Sequence, residues 1–90
     1  MSSLTDLPEI GPVIAKHLVA VGITDADELR RLGAKEAFLR IRDDLDPDAC
    51  VHMLQALEAG IQGVRTTGLD PATKQELNAW LRHLDAANPG

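Results

Sequence analysis

The chain has 90 residues, a hydrophobic fraction of 44% and a formal net charge of −5 at pH 7. This length predicts a single domain over residues 1–90, and its core must be aliphatic because only 2% of the residues are aromatic. The acidic balance and the scarcity of aromatic side chains argue against a dedicated nucleic-acid binder, which gains affinity from cations and base stacking. With one cysteine, no secretory signal and no long apolar run, the chain is expected to be cytoplasmic, free of intramolecular disulfides and outside the membrane.

Helix start and stop signals predict five to six short helices, and no segment has the pattern of a strand. The first predicted helix runs from Ser2 or Ser3 to about Leu7, and the second from Pro12 to about Val21. The third is capped by Thr24, and the fourth runs from about Ala34 to Asp44. The fifth is opened by Asp46 and Pro47, and the last is opened by Asp70 and Pro71 and ends at Asn88-Pro89-Gly90. The sequence therefore predicts an all-α, compact bundle.

The predicted fifth helix has the clearest helical periodicity in the chain. One face of it would carry Cys50, Met53, Leu54, Leu57 and Ile61. We therefore expect this helix to be central, with the cysteine as a small buried side chain. Trp80 falls on the inward stripe of the last helix, so it is expected in the core and not on a base-stacking surface.

The segment Leu7–Leu18 predicts a short helix, a tight turn and a second helix, which together form a helix-hairpin-helix motif. Gly11 is expected to adopt backbone angles that other residues avoid, and Pro12 suits the first position of a helix. A similar residue pattern to that of Leu7–Pro12 occurs 22 residues later, at Leu29–Ala34, with a glycine at the matching position. This internal similarity predicts a pseudo-duplicated pair of hairpins, an arrangement similar to that of SAM domains. The alternative is a chance match.

The first hairpin is a candidate phosphate site. Its turn would expose the backbone N–H groups of Ile10, Gly11 and Val13 at a helix N-terminus, with the Lys16 ammonium nearby. Helix-hairpin-helix modules bind a nucleic-acid phosphate with this arrangement. Glu9 places a carboxylate where that anion would dock. The alternative is that the turn only packs two helices together.

A second candidate surface is a run of cations. Arg30, Arg31, Lys35, Arg40 and Arg42 are five of the chain's nine cationic residues. They would add to a phosphate-binding surface or contact an acidic partner. Because helical spacing spreads them over more than one face, the alternative is a solvated surface with local ion pairs.

No residue pattern indicates catalysis, a metal or a cofactor. Asp44, Asp46 and Asp48 alternate as in a calcium loop, but the turn glycine and the bidentate glutamate of such a loop are absent, so these acids are assigned to helix capping. The three histidines lack metal-ligand spacing. The chain is therefore expected not to be an enzyme.

Beyond the hairpin, a longer series of residues carries a family resemblance. It comprises Leu4–Pro8, Ile10–Pro12, Val21–Thr24, Glu28–Leu29, Leu32–Ala37, Leu54, Ala56–Glu58 and Ile61–Arg65. In this order they resemble the carboxy-terminal domain of the TfoX/Sxy family, bacterial regulators of natural competence. The resemblance implies the helical fold and a link to nucleic acid or the transcription machinery. Glu9 departs from it, since the family tends to have Asn there, which tolerates left-handed angles better.

The resemblance leaves open the role of Gln62-Gly63-Val64-Arg65. Gln62 and Arg65 are expected to tie this loop to a neighbouring helix end, with a surface role as the alternative. Taken together, the sequence predicts a non-catalytic macromolecule-binding domain, related to DNA or to transcriptional regulation. The alternative is a protein-interaction or self-association module, including a homodimer, that does not bind DNA.

Overall fold

The computed structural model describes residues 3–87, and within this range the chain forms helices and no strand. The five α-helices are α1 (Pro12–Ala20), α2 (Ala26–Leu32), α3 (Ala34–Asp44), α4 (Val51–Gln62) and α5 (Pro71–Ala87). Two 3₁₀ helices, Leu4–Asp6 and Thr66–Gly68, precede α1 and α5. The predicted all-α architecture is confirmed, whereas the predicted cap at Ser2 and the end at Asn88-Pro89-Gly90 lie outside the described residues.

Several predicted helix ends are confirmed because their capping residues act locally. The Asp70 carboxylate accepts the backbone N–H of Ala72 at 2.9 Å, and Pro71 occupies the first position of α5. Helix α3 begins at Ala34 after Gly33, whose φ of 90° is closed to most residues, so the predicted role of this glycine in the turn is also confirmed.

The predicted cap of the third helix is off by one residue. The N-cap is Asp25 and not Thr24: the backbone of Asp25 is extended, and its Oδ1 accepts the Glu28 N–H at 2.8 Å. A carboxylate at this position also interacts favourably with the positive end of the helix dipole.

The predicted helix start at Asp46 and Pro47 is wrong. Asp46 instead begins a turn, in which its Oδ1 accepts the Asp48 N–H at 3.1 Å and its carbonyl accepts the Ala49 N–H at 3.0 Å. Asp-Pro is a turn signal as well as a helix-opening signal, and here the turn forms. Cys50 is consequently the exposed residue that precedes α4, so its predicted burial is also wrong.

The core is aliphatic, as predicted, and α4 lies at its centre. Helix α4 packs against α2, α3, α5 and the second 3₁₀ helix. The largest fully buried side chains are Leu18, Ile23, Leu29, Phe38, Ile41, Leu54, Leu57 and Leu77. Trp80 packs against this core with its ring edge-on to Phe38, at a centroid distance of 6.2 Å. It is only partly buried, so its predicted inward position is confirmed but its predicted place within the core is not.

Candidate functional site

The turn from Leu7 to Gly11, which we call the first turn, connects the first 3₁₀ helix to α1. Its left-handed residue is Glu9, with a φ of 67°, whereas Gly11 has φ −81° and ψ −179°. The prediction that Gly11 adopts angles closed to other residues is therefore wrong. Gly11 is the extended residue preceding Pro12, and the strain of the turn lies two residues earlier.

The Glu9 carboxylate is engaged by the loop that follows α4. Its Oε1 lies 3.1 Å from Nε of Arg65, and its Oε2 accepts a hydrogen bond from the Thr66 hydroxyl. The carboxylate thus contacts Thr66, which is 57 positions away in the chain, and its neighbour Arg65. This contact confirms the predicted tie for Arg65, which holds its loop against the turn at the start of α1. The predicted tie for Gln62 is wrong, because this side chain donates to Glu58 within its own helix at 2.8 Å.

A glycine that the sequence argument missed allows the first turn to pack on α4. A Cβ atom added at Gly60 would lie 2.8 Å from Cγ1 of Ile10 and 2.9 Å from the carbonyl oxygen of Pro8. These distances are shorter than real Cβ contacts, so only glycine permits this approach. The available signal was a glycine inside a strongly periodic helix, which often marks a close backbone approach.

The predicted phosphate-binding groups fall into two sets at the first turn. The Ile10 N–H donates to the Leu7 carbonyl at 3.3 Å and its side chain is buried, so this amide belongs to the turn itself. Val13 is the second residue of α1, and no acceptor among residues 3–87 receives its N–H. Lys16 is exposed one helical turn later. Gly11, Val13 and Lys16 therefore share one helix end.

The other predicted cations are engaged by carboxylates. The pairs are Arg30–Asp27 at 3.0 Å, Arg31–Glu28 at 3.8 Å, Arg40–Glu36 at 3.0 Å, Lys35–Glu76 and Arg42–Asp85. Three of these pairs are three or four residues apart on one helix, as the alternative of local ion pairs predicted. The cations therefore form separate neutral pairs and not one positive surface.

The structure also separates Lys35 from the first turn. Lys35 and Gly33 border a shallow groove formed with Glu58 and Gln62 of α4 and with the start of α5. Gly60, which contacts the first turn, is two residues from Glu58 and Gln62 along α4, or about 200° around the helix. The turn at Gly33 and the first turn consequently lie on opposite faces of α4. Their glycines also differ in backbone conformation, since Gly33 has a φ of 90° and Gly11 has a φ of −81°.

An exposed face of α1 runs from the first turn to the end of the helix. Its residues, which we call the α1 surface, are Pro12, Val13, Lys16, Val19 and Ala20. At about 100° per residue they fall within an arc of about 120°. Val13 is 68% exposed and Val19 is 53% exposed. The α1 surface is thus apolar except for one ammonium group near its middle.

The described part of the chain offers few other groups that could take part in chemistry. Within residues 3–87 no group of three His, Cys, Asp or Glu side chains could hold a metal ion. No helix described there has the length and apolar character needed to cross a membrane. Sγ of Cys50 lies 3.8 Å from Nδ1 of His52, at the exposed start of α4.

Comparisons with known proteins agree with this architecture. The sequence model of the TfoX C-terminal domain family matches residues 1–81 of the chain. Protein Sxy of Escherichia coli (strain K12) is 38% identical over 81 residues, a match that covers 90% of this chain and 38% of Sxy. The chain thus spans well under half the length of that relative.

Two crystal structures from Listeria monocytogenes have the same fold. The triclinic form of an uncharacterized protein superposes with a TM-score of 0.90 at 43% identity, covering 93% of this chain and 94% of that chain. The tetragonal form of a protein of unknown function superposes with a TM-score of 0.87 at 44% identity, covering 91% and 99%. The helical fold, the sequence match and these likenesses agree, and the chain belongs to the TfoX C-terminal domain family.

Proposed function

We propose that this competence-regulator-like domain is a non-catalytic, cytoplasmic module that binds a protein partner. The observation that carries the proposal is the α1 surface, on which Val13 and Val19 are more than half exposed. Exposed apolar side chains grouped on one helix face are typical of protein-interaction sites. The residues of this surface are not needed to fill the core, to which α1 contributes the buried Leu18 and the partly buried Ile14 and Ala15.

The charges of the molecule support a protein partner over nucleic acid. The net charge is −5, and six of the nine cationic side chains lie within 4.0 Å of a carboxylate. The residues that line the shallow concavity at the first turn include the acidic Asp6 and Glu9 as well as Arg65. Approach of a phosphate backbone would therefore gain little electrostatic energy.

Duplex binding through the first turn is the second candidate, and one observation favours it. The Glu9 carboxylate pairs with Arg65 and accepts the Thr66 hydroxyl, so its charge is partly neutralised at the turn where an anion would dock. The free Val13 amide and the Lys16 ammonium could receive one phosphate there. This candidate predicts weak, sequence-independent binding that falls with salt.

Two measurements on one preparation decide between the candidates. The first is titration of a labelled DNA duplex at about 50 mM salt, where phosphate contacts are strong. The second is capture of proteins on the immobilised chain, compared with a Val19→Asp variant. We expect no duplex binding and a captured protein that the variant loses. Duplex binding that Lys16→Ala weakens, with no protein lost by the valine variant, would overturn the proposal in favour of DNA.

A further inference from the structure

From the composition of the α1 surface, we propose that it docks an amphipathic helix of a different protein, with a carboxylate of that helix placed opposite Lys16. This inference rests on the proposed protein-binding function and adds the site and the chemistry of the partner. The apolar part of the partner would cover Val13 and Val19, and its acidic side chain would lie between them.

The shape of the α1 surface fits a helix laid along it. The surface extends over two turns of α1, from Pro12 to Ala20, and its residues recur at the spacing of one helix face. Val13 lies at one end and Val19 near the other, so two anchor points about 9 Å apart along the axis are available. An amphipathic helix offers apolar side chains at close to this spacing from its own i and i+7 positions, which lie about 10.5 Å apart along the axis.

The charge of the surface specifies the partner. Lys16 lies between the two valines, and it forms no ion pair with any carboxylate among residues 3–87. A wholly apolar partner would cover this ammonium group and leave it without water or a counter-ion, which is unfavourable. A partner that carries a carboxylate at the middle of its apolar stripe would instead form an ion pair there.

The same charge argues against a second copy of the chain as the occupant. In a two-fold pairing of α1 with α1, residues equidistant from the helix midpoint face each other. The midpoint of Pro12–Ala20 is Lys16, so this lysine would meet its own counterpart. The α1 surface contains no carboxylate to neutralise either ammonium group, and each copy carries a net charge of −5. A homodimer through this face would therefore bring like charges together.

The size of the surface limits the strength of the complex. A patch made of two exposed valines, one alanine, one proline and the lysine stem is well below the roughly 800 Å² per partner of a standard interface. Binding through this patch alone would be transient, with dissociation in the range of weak signalling contacts. The contribution of the charge pair should then be measurable against a small background.

The test uses two stapled helical peptides of about 15 residues, a length at which free helices are marginal without a staple. Both have the same leucine and alanine stripe, with Glu at its central position in one peptide and Lys in the other. Backbone amide shifts of the isotope-labelled chain are followed during titration. Three proteins are compared: the natural chain, Lys16→Glu, and Arg82→Glu as a matched charge change on the exposed side of α5.

For the natural chain and Arg82→Glu, we expect the Glu peptide to bind about fivefold more tightly than the Lys peptide, with shifts centred on α1. Lys16→Glu should reverse that preference, and sedimentation should show a monomer. Shifts centred elsewhere, or a preference that Lys16→Glu leaves unchanged, would overturn the α1 assignment while leaving protein binding intact. A dimer abolished by Val19→Asp would overturn the choice of occupant. Failure of both peptides together with duplex binding would refute the proposed function itself.

Discussion

Replacing Gly60 by alanine tests whether the first turn is held in place by close packing on α4. In an exposed helix, this substitution stabilises a protein by about 1 kcal/mol, because alanine has the higher helix propensity. Here the new Cβ would lie 2.8 Å from Cγ1 of Ile10 and 2.9 Å from the carbonyl oxygen of Pro8. The isoleucine is only 3% exposed, and the other atom belongs to the backbone, so neither can move independently of the turn.

The balance of these two effects gives the expected magnitude. Overpacking of this kind costs about 1–3 kcal/mol, which exceeds the propensity gain of about 1 kcal/mol. We therefore expect Gly60→Ala to lower the free energy of unfolding by about 1 kcal/mol. For a chain of this size, that loss corresponds to a decrease in Tm of about 4–8 °C.

Gly11→Ala is the matched control for this experiment. A Cβ at Gly11 meets nothing within 4 Å, and its φ of −81° is open to any residue. Thermal and urea unfolding, followed by far-ultraviolet circular dichroism, should therefore show no loss of stability for the control. If Gly60→Ala were as stable as the natural chain, or if the control lost as much, the packing argument would be wrong.

Substitutions at two further positions test the local backbone and capping geometry. Because Glu9 has a φ of 67° and its carboxylate contacts Arg65 and Thr66, Glu9→Ala should lose the contacts and keep the backbone strain, whereas Glu9→Gly loses both. Chemical denaturation should find Glu9→Gly more stable than Glu9→Ala by about 1 kcal/mol. The reverse order would contradict the left-handed backbone conformation of residue 9. Because Cys50 is an exposed N-cap, Cys50→Ser should stabilise the chain by about 0.5–1 kcal/mol, whereas a loss of that size in the same assay would indicate a buried thiol.

The parts of the fold that the sequence predicted well depend on neighbouring residues. Asp70 and Pro71 open α5 with contacts confined to one helical turn. Gly33 ends α2 and begins α3 because a single residue with positive φ suffices for that turn. The apolar residues of α3 and α4 recur at helical spacing, so the inward positions of Phe38 and Leu57 could be predicted from the local sequence alone.

The parts that could not be predicted depend on residues distant in the chain. Asp46 and Pro47 satisfy the signals of both a turn and a helix start, and the local sequence does not decide between them. The small size of Gly60 matters only once the first turn is packed against α4. The cations between Arg30 and Arg42 formed a run in the sequence, but the fold distributed them among carboxylates of α2, α3 and α5.

The position of Glu9 also changes how a gain of DNA binding should be interpreted. If the Glu9 carboxylate only blocked the docking position that the sequence indicates, Glu9→Gly would open a phosphate site at the α1 amides. In the structure that carboxylate faces Arg65, whose side chain is 74% exposed and borders the concavity at the first turn. Removing it would release a guanidinium group and would not free any α1 amide. Any salt-sensitive duplex binding gained by Glu9→Gly should therefore disappear in the double variant with Arg65→Ala, in the fluorescence titration used for the natural chain. Binding that persisted in the double variant would assign the phosphate contact to the Val13 amide and Lys16 instead.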